Sequence, residues 1–472
     1  MTVLQNARPV PAEAIRRRAE ASPGRVLAIV CVGMVLANLD LFIVNVGLPN
    51  IQRDFKNPRL EDMSWILNGY AIAYAALLVF FGRLAERYRR DLSFLLGVAL
   101  FTLASAACGV AFDLTSLVVF RLAQAAGAAL MTPTSLGLLL AVYPPERRGG
   151  AVRAWTAIGG FGAALGPLVG GLLVDINWRW IFIVNVPIGL IALWAGWRTL
   201  PKIPGHEAAP PNPLAAALVT GGIAAVTLAI VKGNDWGWLS PQIAAAVAAA
   251  VVLLAAFAWH CLRSSNPFVD PALFRIRAYT GAALVMAPYS AAFGAMLLSV
   301  SVWEQTAWGW SAMQTGLLIA PGPLLVPTTS LLLSGRLIAR FGAAAVVTAG
   351  VLLFAGGLII WSRLVGVQPS AAGVLIGMVP IGIGVGLTFP TLMGVATSVL
   401  PPSSFATGAG VINMLRQASL AIGVALFVAI VGSPATLAAR AEGFHRGWWA
   451  MAAIILLGLI PNYALIRKRR RG

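Results

Sequence analysis

The chain has 472 residues, 59% of them hydrophobic and 11% charged, with 34 Lys and Arg against 16 Asp and Glu and a net charge of +18. Soluble domains carry about 25% charged residues, so this composition excludes an ordinary soluble enzyme and indicates an all-α protein that crosses a membrane many times. The three cysteines (Cys31, Cys108, Cys261) and three histidines (His206, His260, His445) are far apart and give no metal or disulfide spacing.

In chain order, residues 1–24 form a polar tail carrying Arg16, Arg17 and Arg18. The apolar run that follows is as long as a full span and lacks a small-residue cleavage site, so it is expected to stay as the first helix. A spanning helix needs about 20 apolar residues. Fourteen segments qualify, near 26–49, 64–82, 92–112, 114–140, 154–174, 179–199, 214–231, 241–261, 279–303, 312–334, 343–361, 371–398, 405–431 and 447–466. With the N-terminus inside, 24 Lys and Arg fall on the cytoplasmic side, 8 fall outside, and Arg121 and Arg416 lie within spans. This bias follows the positive-inside rule. It places both termini in the cytoplasm, in a plasma (inner) membrane, and sets the basic tail Arg467–Arg471 against anionic lipid. Eleven of 15 tryptophans, among them Trp178, Trp303, Trp361 and Trp448, fall at external span ends, as in an interfacial aromatic belt.

The chain repeats itself. Gly82–Tyr88 ends span 2, and the similar Gly335–Phe341 ends span 10, 253 positions later. The offset is eight spans, which implies six spans, two inserted spans and six more. The expected divisions are a tail at 1–24, a first bundle at 25–200, a linker with two extra helices at 201–277, a second bundle at 278–466 and a tail at 467–472.

Several residues stand out against this apolar background. Asp40 lies at membrane depth, where an acid is costly and faces a cavity or a partner. Arg121 is its natural partner. At 1.5 Å per residue the two lie roughly 13 and 10 Å from the same end of spans 1 and 4. A proton relay and a purely structural bridge both fit. Gln124 is one turn from Arg121 and able to order its donors. In span 5, Gly162, Gly166 and Gly170 recur every four residues, with Pro167 and Gly171 beside them. That pattern gives a smooth face for close helix packing and a bend at the proline. On this view Gly166→Leu impairs transport more than folding; a generic close-packed helix is the plainer alternative. Gly82 permits a tight turn, and Glu86, Arg87 and Arg90 make a charged loop with it, an ordinary basic loop being the alternative. Glu304 closes span 9, either at the lip of a cavity or solvated at the interface. Asn413, Arg416 and Gln417 lie at helical spacing in span 13, where they line a path or bond across helices.

These pieces resemble the fourteen-span branch of drug:proton antiporters in the major facilitator superfamily. Leu39–Pro49, the Gly82 loop, Arg121–Gln124, the glycine run and Trp178–Pro187 carry the resemblance, over about residues 25–466. The resemblance implies a major facilitator fold with 14 helices as 6 + 2 + 6. It assigns Asp40, Arg121 and Gln124 to proton coupling, makes Gly82, Glu86, Arg87 and Arg90 a cytoplasmic gate, and makes the glycine run the helix typical of exporters. Ala125 stands where the family has glycine, Glu86 where it has aspartate, Arg89 where it has glycine, and Ala339 replaces the acid in the second copy. Proton-driven export of small lipophilic, including cationic, compounds by alternating access is the expected function, powered by the proton gradient with no cofactor. Expected partners are a small-molecule substrate and the bilayer, with a periplasmic adaptor as an optional one, no nucleic acid, and a monomer as the transport unit. A metabolite symporter is the first rival. A membrane-embedded lipid-modifying enzyme is the second, although the loops are short and poor in His, Cys and Asp.

Overall fold

A computed structural model describes residues 22–56, 58–205, 212–265, 267–400 and 405–466. The N-terminal tail to residue 21, His206 and the basic tail Arg467–Arg471 lie outside the described residues. Fourteen helices are long and apolar enough to cross a membrane: Pro23–Asp54, Leu60–Leu84, Arg90–Gly109, Leu114–Val142, Ile158–Ile176, Trp180–Thr199, Pro213–Trp236, Pro241–Arg263, Arg277–Ala307, Ala312–Phe341, Ala343–Leu364, Ala371–Ser398, Gly408–Val431 and Leu437–Ile466. They are spans 1 to 14 below. Every expected span is present, and no strand occurs among the described residues. A helix bonds its own backbone internally, which is what a chain in hydrocarbon requires.

The boundaries have local causes. The Asp113 carboxylate accepts the Ser116 N–H at 2.6 Å and starts span 4; this bond holds its carboxyl below the usual range. Ser240, Ser311, Ser370 and Thr436 cap spans 8, 10, 12 and 14 in the same way. The Thr436 cap also explains why span 14 begins ten residues earlier than its apolar core suggests. Pro23, Pro213 and Pro241 occupy the first turns of spans 1, 7 and 8, where the missing N–H costs nothing.

The packing repeats with the eight-span offset. Span 1 packs on span 5, span 2 on span 4, and span 3 on spans 4 and 6. Span 9 packs on span 13, span 10 on span 12, and span 11 on spans 12 and 14 in the same pattern. The two six-helix groups meet along two seams, span 2 against span 13 and span 5 against span 10, with span 1 against span 9 between them. The inserted pair, spans 7 and 8, pack on each other, and span 7 lies over the first seam against spans 2 and 13. Span 8 turns Val251, Val252, Trp259 and Leu262 outward, as a lipid-facing helix should.

The tryptophans divide. Trp180, Trp236, Trp238 and Trp449 are exposed at span ends, but Trp178, Trp303, Trp361 and Trp448 are core residues. Trp303 packs on Phe444 with ring centroids 4.9 Å apart. The Trp448 indole N–H donates to Ser299 and that of Trp361 to the Val374 carbonyl. The uniform belt expected from position along the chain is therefore corrected: indoles whose N–H finds a protein acceptor turn inward.

Candidate functional site

Asp40 of span 1 and Arg121 of span 4 meet, both with no exposed surface. An Arg121 terminal nitrogen, Nη1, donates to Asp40 Oδ2 and, at 2.7 Å, to Gln124 Oε1. Gln124 Nε2 donates to Asp40 Oδ1 and to Ser105 Oγ, each at 2.8 Å. Arg121 Nε reaches the Ile66 carbonyl at 3.3 Å, and its guanidinium carbon lies 4.1 Å from the centroid of the Tyr70 ring. The fully buried amide of Asn185 stands beside Asp40, too far for a well-formed hydrogen bond and with no other partner among the described residues. Arg121 Nη2 is likewise buried, without a hydrogen-bond partner among the described residues. A buried ion pair survives only when its remaining polar atoms are also satisfied; here several are not, so the cluster holds unspent hydrogen-bonding capacity. Spans 1, 2, 3, 4 and 6 all contribute, and all belong to the first six-helix group.

Ser105, Asn185 and Tyr70 were not picked out from sequence. Asn185 had a signal, because a polar amide just inside span 6 is unusual in an apolar run. Ser105 had none, since its hydroxyl also bonds its own helix at the Phe101 carbonyl, 2.8 Å away.

The glycine run serves two surfaces. Gly162, Gly166 and Gly170 face span 1: a Cβ on Gly166 would come 2.6 Å from the Phe42 Cβ, and one on Gly162 3.0 Å from the Val35 Cα. This contact is internal to the first group. Pro167 and Gly171 instead face span 10. A Cβ on Gly171 would come 2.7 Å from the Ala312 carbonyl oxygen, and one on Gly316 would strike the Pro167 carbonyl. Within the run, it is Pro167 and Gly171, not the three regularly spaced glycines, that meet the second group. The helix Pro145–Ile176 runs unbroken through Pro167.

The loop after span 2 also differs from expectation. Gly82 lies within the helix Trp65–Arg87, not in a turn, and the space beside it is ordinary, with Pro133 3.7 Å from an ideal Cβ. The Glu86 side chain lies outside the described residues, and Arg87 is exposed. Asp91 anchors the loop: it pairs with Arg89 at 2.6 Å and accepts the Ile203 N–H at 3.3 Å. The Asp91 hydrogen bond pushes the Arg89 guanidinium above its usual range. The Arg90 side chain reaches the Gly137 carbonyl of span 4 at 3.3 Å.

Glu304 is not solvated, contrary to that expectation. It has no exposed surface, and neither carboxylate oxygen has a hydrogen-bond partner among the described residues. Gln305 beside it donates to the Val46 carbonyl of span 1 at 2.8 Å, tying the two groups together. In span 13 the side-chain hydrogen bonds of Asn413 and Arg416 stay within the helix: Asn413 to the Ala409 carbonyl at 3.2 Å, and Arg416 Nε to Asn413 Oδ1 at 3.4 Å. Arg416 lies 5.3 Å from the Phe389 ring and has Tyr74 of span 2 and Tyr289 of span 9 as neighbours. It forms no salt bridge among the described residues. Gln417 is buried, and its Oε1 has no hydrogen-bond partner among the described residues.

Two repeated six-helix bundles, the first holding a buried charge cluster, define a secondary-transporter architecture. The Major Facilitator Superfamily profile matches residues 30–424. The chain belongs to the major facilitator superfamily. It is 32% identical over 453 residues to the tetracenomycin C resistance and export protein of Streptomyces glaucescens, covering 95% of this chain and 81% of that protein. It is 35% identical over 404 residues to the multidrug resistance protein Stp of Mycobacterium tuberculosis, covering 85% and 74%. A solved POT family transporter bound to 5-aminolevulinic acid superposes with a TM-score of 0.69 at 16% identity, covering 93% of this chain and 96% of that one; the likeness is one of fold.

Proposed function

We propose that the protein is a proton-coupled exporter of small lipophilic compounds, working by alternating access from the cytoplasmic membrane with both termini inside. The Asp40–Arg121–Gln124 cluster carries this reading, because a carboxylate and a guanidinium with no exposure in mid-span are costly unless the charge does work. The names of the relatives, resistance and export proteins, support the direction of transport.

Protonation of Asp40 removes the charge that holds Arg121 Nη1. Arg121 keeps Gln124 Oε1 and the Ile66 carbonyl, and Asn185 offers Asp40 an alternative bond. Span 1 is then released from span 4. Span 1 is also the helix that Gly162, Gly166 and Gly170 grip and that Gln305 reaches from span 9. A proton on one carboxylate thereby acts on the packing inside the first group and on the span 1–span 9 contact that lies between the two seams. Arg416, with aromatic rings around it and no acidic partner among the described residues, together with Asn413 and Gln417, supplies polar anchors in a mainly apolar path. Gly82, Arg87 and Arg90, with Glu86, form the gate at the cytoplasmic end of span 2.

The test is cargo movement in inverted vesicles over a panel of lipophilic compounds, with and without a protonophore. Proton-driven uptake is expected in the wild type and is expected to vanish in Asp40→Asn, with normal amounts of inserted protein. Unchanged pH-dependent uptake in that variant rejects the reading, and uptake in the opposite direction favours a symporter.

A further inference from the structure

Glu304 is not explained by the Asp40 cluster. It sits at the end of span 9 opposite the face where span 1 begins, and that end is closed. There Gln305 bonds Val46, Ser433 of the span 13–14 connection donates to Glu61 at 2.9 Å, and Pro167 and Gly171 abut Gly316 and Ala312. The Glu304 carboxyl lies within this closure. Its neighbour is the hydroxyl of Thr315 in span 10, for which no other hydrogen-bond partner is present among the described residues.

A carboxylate with no exposure and no cation cannot remain charged cheaply; a buried charge is paired or is neutralised. The charged groups at this end are engaged elsewhere or stand apart. Arg53 binds Asn50, and Asp54 pairs with Arg179 at 2.8 Å. Arg440, Glu442 and Arg446 at the start of span 14 form no salt bridge with Glu304 among the described residues, and His445 bonds the Val365 carbonyl at 2.7 Å. Deeper in the packed helices, Asp40 is held by Arg121, and Arg416 lies among Tyr74, Tyr289 and Phe389. The charged form can only accept the Thr315 hydroxyl, whereas a neutral carboxyl also has an O–H of its own to donate to Thr315 Oγ1.

We infer that Glu304 is a second proton-binding site, built into the closure at the far end, that must be protonated for that end to shut and is ionised when the end opens to water. The ligand is a proton from the far side. Its role is to license closure, and it is separate from the proton on Asp40. The sign follows from where the proton binds more tightly. The closed form holds the proton, so acid on the far side favours closure and rising pH favours opening. For one proton the closed-to-open ratio changes by up to about tenfold per pH unit.

The experiment uses the full-length protein in lipid nanodiscs without cargo or gradient. Spin labels go on Phe112→Cys and Val367→Cys, exposed positions at the far ends of the two groups. The native Cys31, Cys108 and Cys261 are buried and free, which limits background labelling. Electron–electron distances across the far end are measured from acid to alkaline pH, with infrared detection of a protonated carboxylic acid on the same samples. In the wild type the short distance should give way to a longer one as pH rises. Glu304→Gln, a neutral side chain of the same shape, should hold the short distance at every pH and lose one protonated-carboxyl band. A wild-type distance that does not respond to pH, or an unchanged midpoint and an unchanged infrared band in Glu304→Gln, overturns the site. Because no transport is measured, failure of the Asp40 reading leaves this result intact, and the reverse also holds.

Discussion

The two seams between the bundles are related by the repeat, yet they are built from different materials. The span 5–span 10 seam is small and smooth. Pro167, Gly171, Ala312 and Gly316 bring backbone against backbone. The span 2–span 13 seam is overlaid by span 7 and fastened at its far end. Lys232 of span 7 pairs with Asp62 at 2.5 Å, Asp235 pairs with Arg59, and Asn234 donates to the Ala429 carbonyl of span 13 at 2.7 Å. Span 7 therefore holds both groups at once. The two seams are unequally fastened: one is a close backbone contact, and the other is clasped from outside.

The largest effect is expected from filling the smooth seam. Gly171→Leu places a branched side chain against the Ala312 carbonyl and should abolish transport while the amount of folded protein stays near normal. Gly166→Leu, one turn away, intrudes instead on Phe42 inside the first group. Overpacking of this kind costs about 1–3 kcal/mol, so it should lower the yield and melting temperature, with transport falling only in proportion to protein. Parallel measurements of yield, thermal stability and efflux separate the two, and identical behaviour would erase the distinction between the faces. An intermediate effect is expected for Arg416→Gln, which faces Tyr74 across the clasped seam. Efflux of acidic compounds should fall about tenfold relative to neutral ones, a change of about 1.4 kcal/mol, measured over a panel of matched charge variants. The smallest effect is expected for Lys232→Ala. A partly exposed pair contributes about 0.2–1 kcal/mol, so the far end should open a few-fold more often in distance measurements, with little loss of stability.

The same contrast shows what the sequence made legible. Asp40, Arg121 and Gln124 stand out because charge and amide groups are rare inside apolar runs, and equal depth along two helices brings them together in the fold. The spans and their eight-step repeat are legible for a similar reason: hydrocarbon thickness sets a length that composition reveals. Facing directions are not legible in this way. Gly162 and Gly171 belong to one run, but only the packed structure assigns one to span 1 and the other to span 10. Trp303 and Trp449 occupy equivalent positions by chain arithmetic, and acceptor availability decides which turns inward. Asp91, not Gly82, secures the loop after span 2, because its partner Ile203 is more than a hundred residues away. Glu304 lies beside three exposed-looking tryptophan positions in the sequence, and its seclusion emerges only when spans 1, 9 and 10 close over it.

The inserted pair has a consequence of parity. Two helices leave the membrane on the face where they entered it. The second bundle therefore keeps the orientation of the first, and the paired contacts recur unchanged eight spans on. One inserted helix would invert everything after it and match neither seam. A lineage can thus gain or lose spans 7 and 8 as a unit, and the clasp over one seam is an accessory that the underlying machine can acquire without being redrawn.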